Sequence, residues 1–113
     1  MPPAGVPARM RALVLHDYGR FSVEEVPVPE MGPDEVLIRV HACGICATDL
    51  KIIGGHYPGV WPESFPFIPG HEWSGVVVAV GEGVRHLRVG DRVVGENHRS
   101  CGQCPACRAG RYN

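Results

Sequence analysis

Glu35-Val36-Leu37-Ile38-Arg39-Val40-His41 is the stretch that decides the fold class. Leu37, Arg39 and His41 stand opposite Val36, Ile38 and Val40, and this period of two predicts a half-buried strand. Before it, Met31-Gly32-Pro33-Asp34 reads as a turn. Further upstream, residues 10–15 and 21–28 read as short strands broken at Asp17-Tyr18-Gly19. Downstream, residues 47–53 fit a short helix, and residues 54–69 form a loop with four prolines and four aromatic residues. A second β-rich stretch covers 73–80, and 91–95 gives another strand after the Val89-Gly90 turn. Strands this short and this closely spaced predict a small barrel or sandwich rather than alternating βα units. The 15 glycines and 11 prolines fit a chain of many turns.

With 113 residues the chain is long enough for one domain with its own core. Eleven basic against twelve acidic residues leave almost no net charge, which argues against nucleic acid or an anionic membrane as partner. The apolar run at residues 12–15 is too short for a signal sequence or a membrane span. Residues 1–9 are Pro-rich and aperiodic, an expected disordered leader, with the folded domain running over 10–113. Five cysteines at metal-like spacings point to a reducing compartment, hence a cytoplasmic location, and to metal binding rather than disulfides.

Cys101-Gly102-Gln103-Cys104-Pro105-Ala106-Cys107 carries the densest chemistry. Two successive C-x-x-C steps bring three soft thiolates together, as a tetrahedral zinc ion or an iron–sulfur cluster requires. A fourth ligand is expected beyond this run, so the chain is expected to be a piece of a longer protein. Cys43-Gly44-Ile45-Cys46 is a further C-x-x-C before the helix. A thioredoxin-like redox role is weighed against it, but the βαβ setting of that motif is missing. Gly70-His71-Glu72 opens a strand. A lone histidine is more often structural; paired with Cys46, His71 begins a catalytic zinc site with one position open. Asp49 then serves to orient the imidazole, and Thr48 offers a hydroxyl two residues from the thiolate. Gly81-Glu82-Gly83-Val84-Arg85-His86 begins like a dinucleotide fingerprint, but it lies between β stretches and reads as a turn.

Taken in order, Cys43-Gly44-Ile45-Cys46-Ala47-Thr48-Asp49, Gly70-His71-Glu72, Val89-Gly90-Asp91-Arg92-Val93 and Cys101-x-x-Cys104-x-x-Cys107 resemble the zinc-dependent alcohol dehydrogenases of the medium-chain dehydrogenase/reductase superfamily. The resemblance implies a mainly β fold: a small, partly open chaperonin-10-like barrel with short helices and a surface lobe for structural zinc. A Rossmann domain would follow outside this chain. It implies that Cys46 and His71 hold a catalytic zinc, with Glu72 as an occasional ligand, and that Cys101, Cys104 and Cys107 supply three of four ligands to a structural zinc. Alcohol dehydrogenase is a known case of a Cys₂His zinc site with an open fourth position. Thr48 would hydrogen-bond the alcohol and pass its proton outward, and Asp49 would brace His71. Cys43 is then a buried, small apolar side chain. Family members often carry histidine where this chain has Lys51, so the end of the proton relay differs here.

The implied parent oxidises a small alcohol or polyol by hydride transfer to NAD or NADP and is a homo-oligomer, while this chain alone is inactive. Trp61, Phe65 and Phe67 are candidate walls of the substrate pocket. Two other classes compete. One is a metal-binding or electron-transfer module, in which a ferredoxin-type fourth cysteine would fall at Arg111. The other is a chaperonin-10-like interaction domain without functional metal sites.

Overall fold

A computed structural model describes residues 3–97 and 100–111. Met1 and Pro2 of the expected leader, and Tyr112 and Asn113 of the expected domain, lie outside the described residues. Two antiparallel sheets organise the chain. In the first, β1 (Arg9–Asp17) and β2 (Arg20–Pro27) form a hairpin. In the second, β4 (Glu72–Val80) lies between β3 (Val36–Gly44) and the short β5 (Arg92–Val94). Two short helices, α1 (Ala47–Ile53) and α2 (Pro105–Arg108), complete the elements. The fold is mainly β, and no strand pairing closes the two sheets into a barrel among the described residues. No described helix is long and apolar enough to cross a membrane.

Ordered pairing begins earlier than expected. Arg9 faces Pro27 across the hairpin, and Val28 N–H donates to the Ala8 carbonyl at 2.9 Å. The expected 1–9 leader is therefore too long at its C-terminal end, because a paired backbone satisfies donors that a free leader would give to water.

The central strand β4 shows the cleanest pattern, with Gly75, Val77 and Ala79 buried in alternation. Strand β3 does not keep the expected alternation: past Ile38 all of it is exposed, and Val40 is 53% exposed. Register shifts interrupt the ladder between Leu37 and Ile38 and between Val40 and Ala42, and past Ile38 both faces of β3 are exposed because no described element covers them. Gly75 lets the two strands meet, since a Cβ there would collide with the Arg39 carbonyl oxygen.

The hairpin is tied to the rest by backbone. Leu15 and Phe67 exchange two N–H···O=C bonds, at 2.7 and 2.9 Å, and Gly19 N–H donates to the Ile53 carbonyl at the end of α1. Val14, Leu15, Ile52, Val77 and Ala79 form the buried apolar core. Gly81 and Gly83 lie in the turn after β4, as expected, and donate to the carbonyls of Glu35 and Pro33 at 2.8 Å each. A Cβ on Gly81 would strike the Pro33 carbonyl, so that glycine serves close backbone packing rather than a phosphate.

Candidate metal centre

Cys46 is the residue at which the extended chain after β3 becomes helix. It is the N-cap of α1, with extended backbone at φ −117° and ψ 175°. The first N–H groups of a helix have no partner inside the helix. Asp49, three residues on, meets part of that need: its Oδ2 accepts from Cys46 N–H at 3.0 Å, the reciprocal half of a capping box. The pairing fixes the start of α1 and turns the Asp49 carboxylate inward, where the residue is only 5% exposed.

His71 arrives from the opposite direction, one residue before β4. Gly70 has φ +117°, and a Cβ there would be 2.9 Å from Cys43 Sγ. Only glycine gives that combination of backbone and clearance without strain. The close pass carries His71 over the start of α1, although it is 25 residues from Cys46 in the chain. Its Nε2 lies 3.3 Å from Cys46 Sγ, and its Nδ1 lies 3.3 Å from Asp49 Oδ1.

These distances fit a shared ion. A tetrahedral zinc with its usual Zn–S and Zn–N bonds separates the two ligand atoms by about 3.6 Å. The three ligating atoms of Cys46, Asp49 and His71 lie within 4.8 Å of one another. Asp49 Oδ1 and His71 Nδ1 are both buried and have no hydrogen-bond partner despite their proximity. Their contact is close enough for an ion pair but out of line for a hydrogen bond. An imidazole that coordinates through Nε2 carries its proton on Nδ1 and aims it at such a carboxylate, which meets the needs of both atoms. Thiolate and imidazole are the donor types zinc prefers, so these residues fit the ion.

The other sequence-predicted residues divide. Thr48 is half-buried on the first turn of α1. Glu72 is exposed on β4 and does not join the Cys46, Asp49 and His71 cluster. Cys43 is exposed rather than buried, because it lies on the stretch of β3 that no described element covers. Trp61 reaches the centre, with its ring 5.4 Å from that of His71. Phe65 instead packs edge-on against Tyr18 at 5.2 Å, and Phe67 is the bridge partner of Leu15. The capping role of Asp49 is absent from the sequence reading; the Cys46-x-x-Asp49 spacing is its signal.

A second cluster lies in the segment that carries α2. The sulfurs of Cys101, Cys104 and Cys107 fall within 4.8 Å of one another. Backbone N–H groups converge on them: Gln103 and Cys104 donate to Cys101 Sγ, and Cys107 donates to Cys104 Sγ, each at 3.4 Å. The N–H groups of Gln103 and Cys104, in that order, lower the Cys101 thiol from its ordinary value to about 7. A lowered thiol keeps its thiolate to lower pH. Alkylation of Cys101 by iodoacetamide in the metal-free chain is therefore expected to proceed readily at pH 7, and to slow about tenfold per unit below pH 6. Peptide mapping after timed quenching checks this; a Cys101 rate that first drops as pH falls through 9 would contradict it.

Several known proteins are similar to this chain. The sequence profile described as "Alcohol dehydrogenase GroES-like domain" matches residues 32–113. A sorbitol dehydrogenase of Bacillus subtilis (strain 168) is 45% identical over 108 residues, covering 96% of this chain and 31% of the relative. A protein of E. coli CFT073 described as a short chain alcohol dehydrogenase, solved in complex with the cofactor NADH, superposes with a TM-score of 0.80 at 35% identity. That match covers 93% of this chain and 29% of the other. A thermostable alcohol dehydrogenase of Pyrobaculum aerophilum with cobalt and zinc bound gives a TM-score of 0.80 at 35% identity, over 92% of this chain and 31% of the other. The chain thus spans under a third of the length of these relatives. By its strand order, its Cys46–His71 pairing and this match over most of its length, the chain belongs to the alcohol dehydrogenase GroES-like domain family.

Proposed function

We propose that this chain is the metal-bearing portion of a cytoplasmic, homo-oligomeric dehydrogenase that oxidises a small alcohol or polyol, with hydride transfer to NAD(P). The observation that carries the reading is the meeting of Cys46 Sγ and His71 Nε2 at 3.3 Å, with Asp49 behind the imidazole. Cys46 and His71 would hold the catalytic zinc, with Glu72 as an exchanging ligand after a change of its present exposed position. Cys101, Cys104 and Cys107 would hold a structural one. When bound, zinc supplies Lewis-acid polarisation of the substrate oxygen and lowers the pKa of a hydroxyl that binds it.

The chain's own residues supply orientation and proton handling. Asp49 keeps the Nδ1 proton of His71 on the inner side, which leaves Nε2 as the ligating atom. Thr48, half-buried on the first turn of α1, accepts a hydrogen bond from the alcohol and hands its proton outward. Lys51 is exposed in the last turn of α1 and stands where a relay histidine is common, so the proton passes from Thr48 to water. Trp61 covers one side of His71 and keeps bulk water from that ligand.

A chimera tests the proposal. Residues 10–113 replace the corresponding segment of the Bacillus subtilis sorbitol dehydrogenase, to which the chain is 45% identical over 108 residues. Polyol-dependent reduction of NAD or NADP, lost on Cys46→Ser, is the expected result. A folded, zinc-loaded chimera that reduces neither cofactor with any alcohol would overturn the reading.

A further inference from the structure

Among the described residues outside the Cys46–His71 centre, Cys101 Sγ and Cys107 Sγ lie 3.8 Å apart, in a cluster of sulfurs that also includes Cys104. We propose that this pair is a peroxide-oxidised modification site, forming a reversible Cys101–Cys107 disulfide whenever no metal holds the sulfurs. Three observations support it. Cys101 is exposed and Cys107 half-buried, so an attacking sulfur faces solvent with a resolving sulfur beneath it. The segment can also adjust independently of the sheets. Every hydrogen bond among the described residues of 101–111 closes within that segment, and both Gly102 and Gly110 stand in open space. Finally, Cys104 is the least suited partner, because its sulfur caps α2 by accepting Cys107 N–H at 3.4 Å.

The chemistry balances with hydrogen peroxide as the oxidant. The Cys101 sulfur attacks one peroxide oxygen, the O–O bond breaks, and hydroxide leaves and takes up a proton as water. Cys101 is then a sulfenic acid. The Cys107 sulfur attacks it, the S–S bond forms, and the sulfenic oxygen departs as a second water. Two thiols lose two electrons in all, and one peroxide gains them. A thiol reductant reverses the bond.

The test uses the 113-residue chain, reduced and stripped with EDTA, treated with one equivalent of hydrogen peroxide and then with N-ethylmaleimide. Tryptic peptide 100–108 is expected to lose about 2 Da and to carry one maleimide, on Cys104, with all sites labelled after dithiothreitol. Cys104→Ser should oxidise at the wild-type rate within about twofold, whereas Cys101→Ser and Cys107→Ser should be at least about tenfold slower. A maleimide on Cys101 or Cys107, three maleimides, or stable sulfinic acid in place of the bond would each overturn the proposal. So would wild-type oxidation rates in Cys101→Ser. The three serine variants alter exposed or half-buried side chains, and circular dichroism of each confirms that the sheets persist. None of these outcomes bears on Cys46 and His71, so failure here is distinct from failure of the dehydrogenase reading.

Discussion

Asp49→Asn is expected to weaken zinc binding at the Cys46–His71 centre about 10–100-fold while leaving α1 folded. The carboxylate has two tasks that the substitution separates. Its Oδ2 accepts Cys46 N–H at 3.0 Å, and an asparagine carbonyl oxygen can do the same. Its Oδ1 faces His71 Nδ1 at 3.3 Å, and there the asparagine presents an amide NH₂. That group has no acceptor to offer the Nδ1 proton, so the imidazole loses its brace and part of its basicity. Asp49→Ala removes both contacts and should add about 0.5–2 kcal/mol of lost stability, the usual cost of a missing helix cap. Cobalt titration makes the comparison, with Cys43, Cys101, Cys104 and Cys107 all changed to serine so that the thiolate–cobalt absorption reports Cys46 alone. Cys46→Ser in that background should abolish the band. If Asp49→Asn binds cobalt as tightly as its parent, the carboxylate is a helix cap and no more.

Much of this centre was legible because it is written in local spacing. Cys46-Ala47-Thr48-Asp49 places a thiolate and a carboxylate on one helical turn whatever the rest of the chain does, and α1 occupies residues 47–53 as read. The turn at Gly81–Gly83 and the strands around it were equally visible, since glycine placement and period-two patterns act over a few residues. What sequence could not supply was which part of a strand is covered. Past Ile38 both faces of β3 are exposed because no described element packs on them, so Val40 is exposed where alternation predicts a half-buried strand. Glu72 is likewise a matter of tertiary placement: it is adjacent to His71 in sequence, but it opens β4 with its side chain beside Gly44 of β3, and only His71 meets Cys46. Trp61 stands apart from Phe65 and Phe67 for a similar reason: the loop is aromatic throughout, and only folding decides which ring meets the histidine.

Leu15→Ala is expected to cost about 2–5 kcal/mol, the range for truncating a fully buried leucine with incomplete collapse of the space left behind. Leu15 is 0% exposed, and its backbone is the point where the hairpin is bonded to the loop through Phe67. The substitution keeps those backbone bonds and removes the side chain that makes their burial favourable. Few other residues can compensate, because the buried hydrophobic core among the described residues is small: Val14, Leu15, Ile52, Val77 and Ala79. Two sheets without a closed barrel leave many large apolar side chains in solvent, Val23 at 64% and Val94 at 76% among them. Domains of this size are stable by roughly 5–15 kcal/mol at best, so one core leucine is a large share of the total. Val23→Ala, on the exposed part of the same hairpin, should change stability by no more than about 0.5 kcal/mol. Urea unfolding followed by circular dichroism separates the two variants. The leucine substitution should shift the midpoint by about 1 M or more, given slopes of 1–3 kcal/mol/M. Equal midpoints would mean that the hairpin is held by its backbone bonds alone, and that the core lies in α1 and β4 without it.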